Sequence, residues 1–363
     1  MKVPYRDLSI KDPGLKKELL ESVDRVLSHG KIMLGPEVEQ FEGKIAQLCH
    51  KKYAVGMNSG TDALYLSLRA LNIGPGDEVI TTPLSWVATL NSIVLTGATP
   101  VFVDIAEDLN INADLIEKAI SPKTKAIMPV HFTGKLCAIS RIKEIASKHG
   151  IALVEDASQA FGAHINGEMA GSFSKIGCFS LNPMKVLCAY GEAGIVVTDE
   201  QDLYEKLLSL RYAGTKNKED CHFPSLNGRL DTVQAAMLLV NLKYVDQTIK
   251  RHREIAKQYT DRLRDLVTCP QEDGTYHVYY SYTILTGKRD ELKEYLSSKG
   301  VETKIQHTFL MPYQTAYKGT YPCRIPVAER LVKQILCLPN ATHLSSQEIE
   351  YVITCVRDFF GAN

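Results

Sequence analysis

Residues 53–82 read YAVGMNSGTDALYLSLRALNIGPGDEVITT. YAVGM predicts a strand, TDALYLSLRALNI a helix stopped by Gly-Pro-Gly, and EVITT the next strand. Neither strand alternates between apolar and polar residues, so both of its faces are expected to be buried. That is the unit of a parallel sheet covered by helices on each side.

The same rhythm extends in both directions. Toward the C-terminus come a helical WVATLNSIVLTG (86–97), a strand TPVFVDI (99–105), a helix NADLIEKAI (112–120) and a strand KAIMPVHF (125–132). The helix AISRIKEIASKHG (138–150) and the strand IALVEDAS (151–158) continue it. Two helices precede it, over 13–29 and within 30–49. After residue 170 the rhythm breaks: KIGCFSL (175–181) and AGIVVTD (193–199) are strands joined by a turn alone. A long helix is expected over 230–265, then a strand HVYYSYTILTG (277–287) and helices at 289–300 and 345–360. The expected fold is α/β. A three-layer α-β-α large domain with a mostly parallel sheet occupies residues 1–245, and a smaller C-terminal α+β domain occupies 246–363.

Bulk properties exclude several classes. The 363 residues carry 42 Lys+Arg and 42 Asp+Glu, so no basic field exists to hold nucleic acid or an anionic membrane. No apolar run reaches the roughly 18 residues that suggest a membrane span. The start, MKVPYRDLSI, has no apolar signal core. The nine cysteines are odd in number and form no Cys-x-x-Cys pair. They read as reduced thiols of a cytoplasmic protein, with neither a disulfide framework nor a metal site.

In open α/β sheets ligands bind beyond the carboxyl ends of the strands. After YAVGM, Ser59 and Thr61 can cap the next helix, and Gly60 permits close backbone approach; this is either a phosphate cradle or an ordinary N-cap. After EVITT comes Trp86, the only tryptophan; it either stacks on a flat ligand or packs in the core. His131 reads as a structural hydrogen-bonding group. After IALV come Glu155, Asp156 and Gln159; a carboxylate there needs a cationic partner, or else caps a helix. Lys185 lies in the turn NPMKVLCAYGEAG between two apolar strands. There it is either a desolvated amine nucleophile or a lysine that snorkels to water. A cradle, a ring, a carboxylate and an amine, in that order, are what pyridoxal 5'-phosphate requires.

At this point the chain resembles the DegT/DnrJ/EryC1/StrS family of pyridoxal-phosphate-dependent sugar aminotransferases, of the aspartate aminotransferase fold type. The resemblance rests on GPEVEQFE, NSGTDALYLSLRALNIGPGDEVITT, TGATPVFVDI, LVEDASQAFGA and NGRLDTVQAAMLL, together with IPVAERLVKQILCLPNATHLS. It implies that Ser59, Gly60, Thr61 and Ser180 meet the cofactor phosphate and that Trp86 stacks on the ring. It further implies that Asp156 pairs with the ring nitrogen, Gln159 touches the ring hydroxyl and Lys185 forms the Schiff base. Asn227 would reach the neighbouring subunit's cofactor, making a homodimer with shared sites. Asn182, Arg229, His307 and Tyr313 are the implied substrate contacts. The implied reaction moves the amino group of L-glutamate onto a keto sugar, carried on dTDP or UDP, for amino-sugar biosynthesis. A sugar dehydratase using the same cofactor is the alternative, but those relatives have histidine at the lysine position; a keto sugar without a nucleotide is another. The chain departs from the family's usual turn at Asn182, Met184, Val186 and Glu192, and its later HYP segment becomes IQHTFLMPY. Those changes leave the sugar open.

Overall fold

The computed structural model describes residues 1–217 and 219–361. Helices α1 (Pro13–His29) and α2 (Pro36–Leu48) lead into β1 (Tyr53–Met57), α3 (Gly60–Ala70), β2 (Glu78–Thr81), α4 (Ala88–Val94) and β3 (Thr99–Phe102). Then come α5 (Ala113–Ala119), β4 (Thr124–Met128), α6 (Ile139–His149) and β5 (Ala152–Asp156). A small hairpin, β6 (His164–Ile165) with β7 (Glu168–Met169), precedes β8 (Ile176–Ser180) and β9 (Gly194–Thr198). Helix α7 (Gln201–Arg211), the pair β10 (Thr215–Lys216) and β11 (Asp220–Cys221), and α8 (Thr232–Asn241) follow. The chain ends through α9 (Val245–Leu263), β12 (Tyr282–Leu285), α10 (Arg289–Ser298), α11 (Pro326–Leu331), β13 (Ile335–Leu338) and α12 (Ser346–Phe359).

Seven strands form one sheet in the order β1-β9-β8-β5-β4-β2-β3. β9 alone runs against its neighbours β1 and β8; the remaining pairings are parallel. Alternate side chains go to opposite faces, as strand geometry requires. Val55, Val154, Ile176 and Val196 pack with α3 and α7 on one face. Ala54, Leu153, Phe179 and Ile195 pack with α2, α6 and α8 on the other. The α/β reading with a three-layer, mostly parallel sheet is therefore what the chain adopts. A further apolar cluster joins Ile255, Tyr259, Leu336, Leu338 and Val352, and Val3 of the N-terminal segment packs into it.

The single helix expected over 230–265 is interrupted. A 3-10 turn, Leu242–Tyr244, separates α8 from α9. Side chains pin the break: Lys243 and Tyr244 both bond Glu18 of α1, and Asn241 Nδ2 donates to the Cys188 carbonyl at 2.7 Å. The strand expected over 277–287 shrinks to β12, because Tyr279 takes a left-handed φ of 50° and turns the chain. No helix among the described residues is long and apolar enough to cross a membrane.

Candidate active site

A cavity of about 410 Å³ opens at the carboxyl ends of β1, β2, β5 and β8. It brings together Ser59, Gly60, Thr61, Trp86, Asp156, Gln159, Ser180, Asn182, Lys185 and His307. Arg229, Asn227 and Tyr313 lie outside its lining. Tyr313 bonds Glu329 instead. Asn227 is exposed and accepts from Arg229 Nε at 2.7 Å, while the Arg229 guanidinium stacks on Tyr212 at 4.4 Å.

Ser59 is the N-cap of α3, accepting from the Asp62 N–H at 3.0 Å. Thr61 sits within the first turn rather than capping it. Leading N–H groups of a helix have no intrahelical partner, and the helix dipole makes them a ready anion site. The cradle is closed by two glycines. A Cβ on Gly60 would lie 2.5 Å from Ser180 Cβ, and one on Gly194 would lie 2.3 Å from the Ser59 carbonyl oxygen. Any side chain at either position would push β1–α3 away from the β8–β9 pair.

Asp156 is 2 % exposed. Its carboxylate accepts from Thr89 Oγ1 at 2.8 Å and from the Ser158 N–H at 3.1 Å, and Thr89 in turn bonds Ser85 at 2.9 Å. No helix begins after it, so the capping alternative falls. A buried anion with two neutral donors still favours a cation in the adjoining space. Trp86 is 62 % exposed beside the cavity, which removes the core-packing alternative; it lies 6.0 Å from the His307 ring. Gln159 Oε1 accepts from the Thr133 N–H at 2.9 Å and from Gln306 Nε2 at 3.3 Å.

Asn182 organises the lysine turn from within. Its Oδ1 accepts from the Met184 N–H at 3.0 Å, its carbonyl from the Lys185 N–H at 2.8 Å, and its Nδ2 donates to Glu192 at 2.7 Å. Lys185 is half-buried, less isolated from water than its apolar sequence context implied. Its Nζ stands 4.6 Å above the Tyr280 ring. Burial raises the Tyr280 phenol, but the charges of Lys185, Arg6 and Lys304 outweigh it and hold the group below its ordinary value. Burial, followed by the Lys304 and Lys185 charges, pushes His307 down to about 3, so its ring is neutral near pH 7. His307 Nε2 is buried without a partner and free to meet a ligand.

Tyr280, Lys304, Gln306, Ser85 and Thr89 also line the cavity and were not singled out from the sequence. Thr89 had a local signal, lying one helical turn beyond Trp86. Ser85 directly precedes Trp86, whereas Tyr280, Lys304 and Gln306 arrive by long-range packing.

The residues present fit pyridoxal phosphate: anion donors, a buried carboxylate held only by neutral donors and an amine line one cavity. A lysine-bearing turn at the carboxyl end of an inner strand of such a sheet marks the pyridoxal-phosphate-dependent transferases of the aspartate aminotransferase fold type. Within that class the chain belongs to the DegT/DnrJ/EryC1/StrS aminotransferase family, whose model matches residues 13–357. It is 38% identical over 368 residues to a pleiotropic regulatory protein of Geobacillus stearothermophilus, covering 99% of each chain. It is 38% identical over 367 residues to dTDP-3-amino-3,4,6-trideoxy-alpha-D-glucose transaminase of Streptomyces venezuelae, covering 99% of this chain and 96% of that one. Among solved structures it resembles S. venezuelae DesV in complex with a ketimine intermediate, with a TM-score of 0.96 and 38% identity, over 99% of this chain and 98% of that one. The protein is a pyridoxal-phosphate-dependent aminotransferase.

Proposed function

We propose that this enzyme transfers the amino group of L-glutamate to a keto sugar carried on dTDP or UDP, with Lys185 as its covalent and proton-transferring residue. The observation that carries the reading is Lys185 in one cavity with the Asp156 carboxylate and the α3 N-terminus. Similarity to a dTDP-sugar transaminase supports the nucleotide-linked substrate. When bound, pyridoxal phosphate supplies an electron-withdrawing ring that accepts the substrate's electron pair.

This chain's residues do the rest. The Gly60 and Thr61 N–H groups and the Ser180 hydroxyl would bind the phosphate. Asp156, aligned by Thr89 and Ser158, would hold a proton on the ring nitrogen, and Trp86 would stack on the ring. The Lys185 amine would take a proton from the donor's α-carbon and later deliver one to the sugar carbon. Neutral His307 offers Nε2 to a sugar hydroxyl. Asn227 lies outside its own subunit's cavity and beside the exposed apolar Leu226, with exposed Met33 bridged to nearby Asp231. This arrangement supports a homodimer in which Asn227 completes the partner's site.

The test is a screen. The holoenzyme is loaded with glutamate, freed of 2-oxoglutarate and offered 3-keto and 4-keto nucleotide sugars; a matching sugar restores the visible absorbance of the lysine-bound cofactor. A regulatory protein without turnover would leave every sugar unconverted, and that result overturns the reading. Hybrid dimers of Lys185→Ala and Asn227→Ala protomers regain activity if sites are shared; inactive hybrids refute the shared site.

A further inference from the structure

We infer that Arg6 is a positioning residue: it ties the Lys185 turn to Tyr280 and thereby holds the Lys185 amine toward the cofactor cavity. The inference rests on the reading of Lys185 as the residue that captures the cofactor.

The turn has open space on both sides. Lys185 lines the active-site cavity and also a second cavity of about 500 Å³, where Pro183, Val186 and Cys188 form part of the wall. Close packing is what ordinarily fixes a side chain in one place, and a segment between two cavities has less of it. Arg6 crosses this gap. Its Nη1 donates to the carbonyl of Met184, the residue before Lys185, and its Nη2 donates to the Tyr280 carbonyl at 2.9 Å. The guanidinium carbon lies 5.4 Å from the centre of the same Tyr280 ring that carries Lys185 Nζ at 4.6 Å. One planar fork thus joins the peptide next to the lysine with the backbone of the ring on which the amine rests.

Arg6 is itself anchored. Val3 is buried and bridged to Val301, and the Tyr5 N–H donates to Glu302 at 3.2 Å. The fork therefore refers the lysine turn to the C-terminal part of the chain. Lysine cannot reproduce it, because a single ammonium on a flexible stem lacks the rigid fork of donors.

The affected step is capture of the cofactor. The Lys185 nitrogen adds to the cofactor aldehyde carbon, a C=N bond forms, and the aldehyde oxygen leaves as water. The anion cradle is built by α3 and Ser180, and Arg6 is not among the residues lining that cavity. Losing the fork should slow capture without weakening the preceding non-covalent complex.

The experiment mixes apoenzyme with pyridoxal 5'-phosphate and follows the visible absorbance of the lysine-bound form by stopped flow. Arg6→Ala is expected to be about tenfold slower, since small misplacements of a reacting group carry penalties of this order or more. Arg6→Lys should remain at least roughly threefold slow, and it carries the test if Arg6→Ala fails to fold. In a Lys185→Ala background, where only non-covalent binding remains, adding Arg6→Ala should leave the cofactor's Kd within about twofold. An unchanged capture rate, full rescue by lysine, or a matching loss of affinity in the Lys185→Ala background would overturn the positioning role. Covalent capture by the Lys185→Ala protein itself would instead refute the reading of Lys185.

Discussion

Glu155 and Asp156 are consecutive carboxylates at the end of β5, both buried, and they have opposite fates. Glu155 is enclosed by donors: His131 Nε2 at 2.9 Å, the Gly171 N–H at 2.8 Å and Ser174 Oγ at 2.6 Å. His131 Nδ1 accepts from the Cys137 N–H, so the ring is the neutral tautomer that donates to Glu155. Asp156, on the other face of the strand, has two neutral donors and a cavity. A carboxylate with its hydrogen bonds filled by the fold is a structural member. One left with open capacity toward a cavity is a binding group.

The comparison breaks most readily at Asp156. Asp156→Asn keeps the shape and removes the charge, and kcat is expected to fall by roughly 10²–10³ with little movement of the thermal midpoint. A large stability loss with normal turnover would reverse the two roles. Glu155→Ala should do the opposite. Stripping three buried neutral donors of their acceptor is expected to cost about 1–3 kcal/mol for each donor left unsatisfied, read by urea denaturation, while the folded enzyme turns over normally.

A smaller effect appears with pH. Burial pushes the Glu155 carboxyl up, but the His131, Ser174 and Gly171 donors outweigh it and hold the group below its ordinary value. Its stabilisation is therefore complete above the unfolded-state pKa of about 4.3 and is lost as pH falls through the lower folded value. The stability gap between the parent and Glu155→Gln should be widest near neutral pH and should shrink below about pH 4. A gap that widens in acid would contradict the assignment.

Much of this was legible in the sequence where local pattern and position coincide. β1, β2, β4 and β5 are short apolar runs, and the residue types after them predicted which side chains would meet. Ser59, Gly60, Asp156 and Lys185 share a cavity because each follows a strand end. The rest depends on long-range contacts. Leu242–Tyr244 has strong helical pattern and yields to Glu18. Tyr280 lay inside an apolar run that looked like strand until Tyr279 turned it. Arg6 is one arginine in a polar N-terminal segment, and nothing around it in sequence announces Met184 or Tyr280. Asn182, an implied substrate contact, lines the cavity, and nothing in the sequence announced that its amide also closes the turn in which it lies.

The reversal of β9 has a consequence for how the enzyme is assembled. Because β8 and β9 are antiparallel, the turn carrying Lys185 is closed by pairing between neighbours in sequence. The anion cradle needs β1 to find β9 from far away in the chain and Gly194 to seat against Ser59. Local pairings form readily, and distant ones wait on the entropy of closing a long loop. A chain newly leaving the ribosome would thus possess its nucleophile before it possesses a place to hold the cofactor. Capture of pyridoxal phosphate then serves as a signature that β1 has docked.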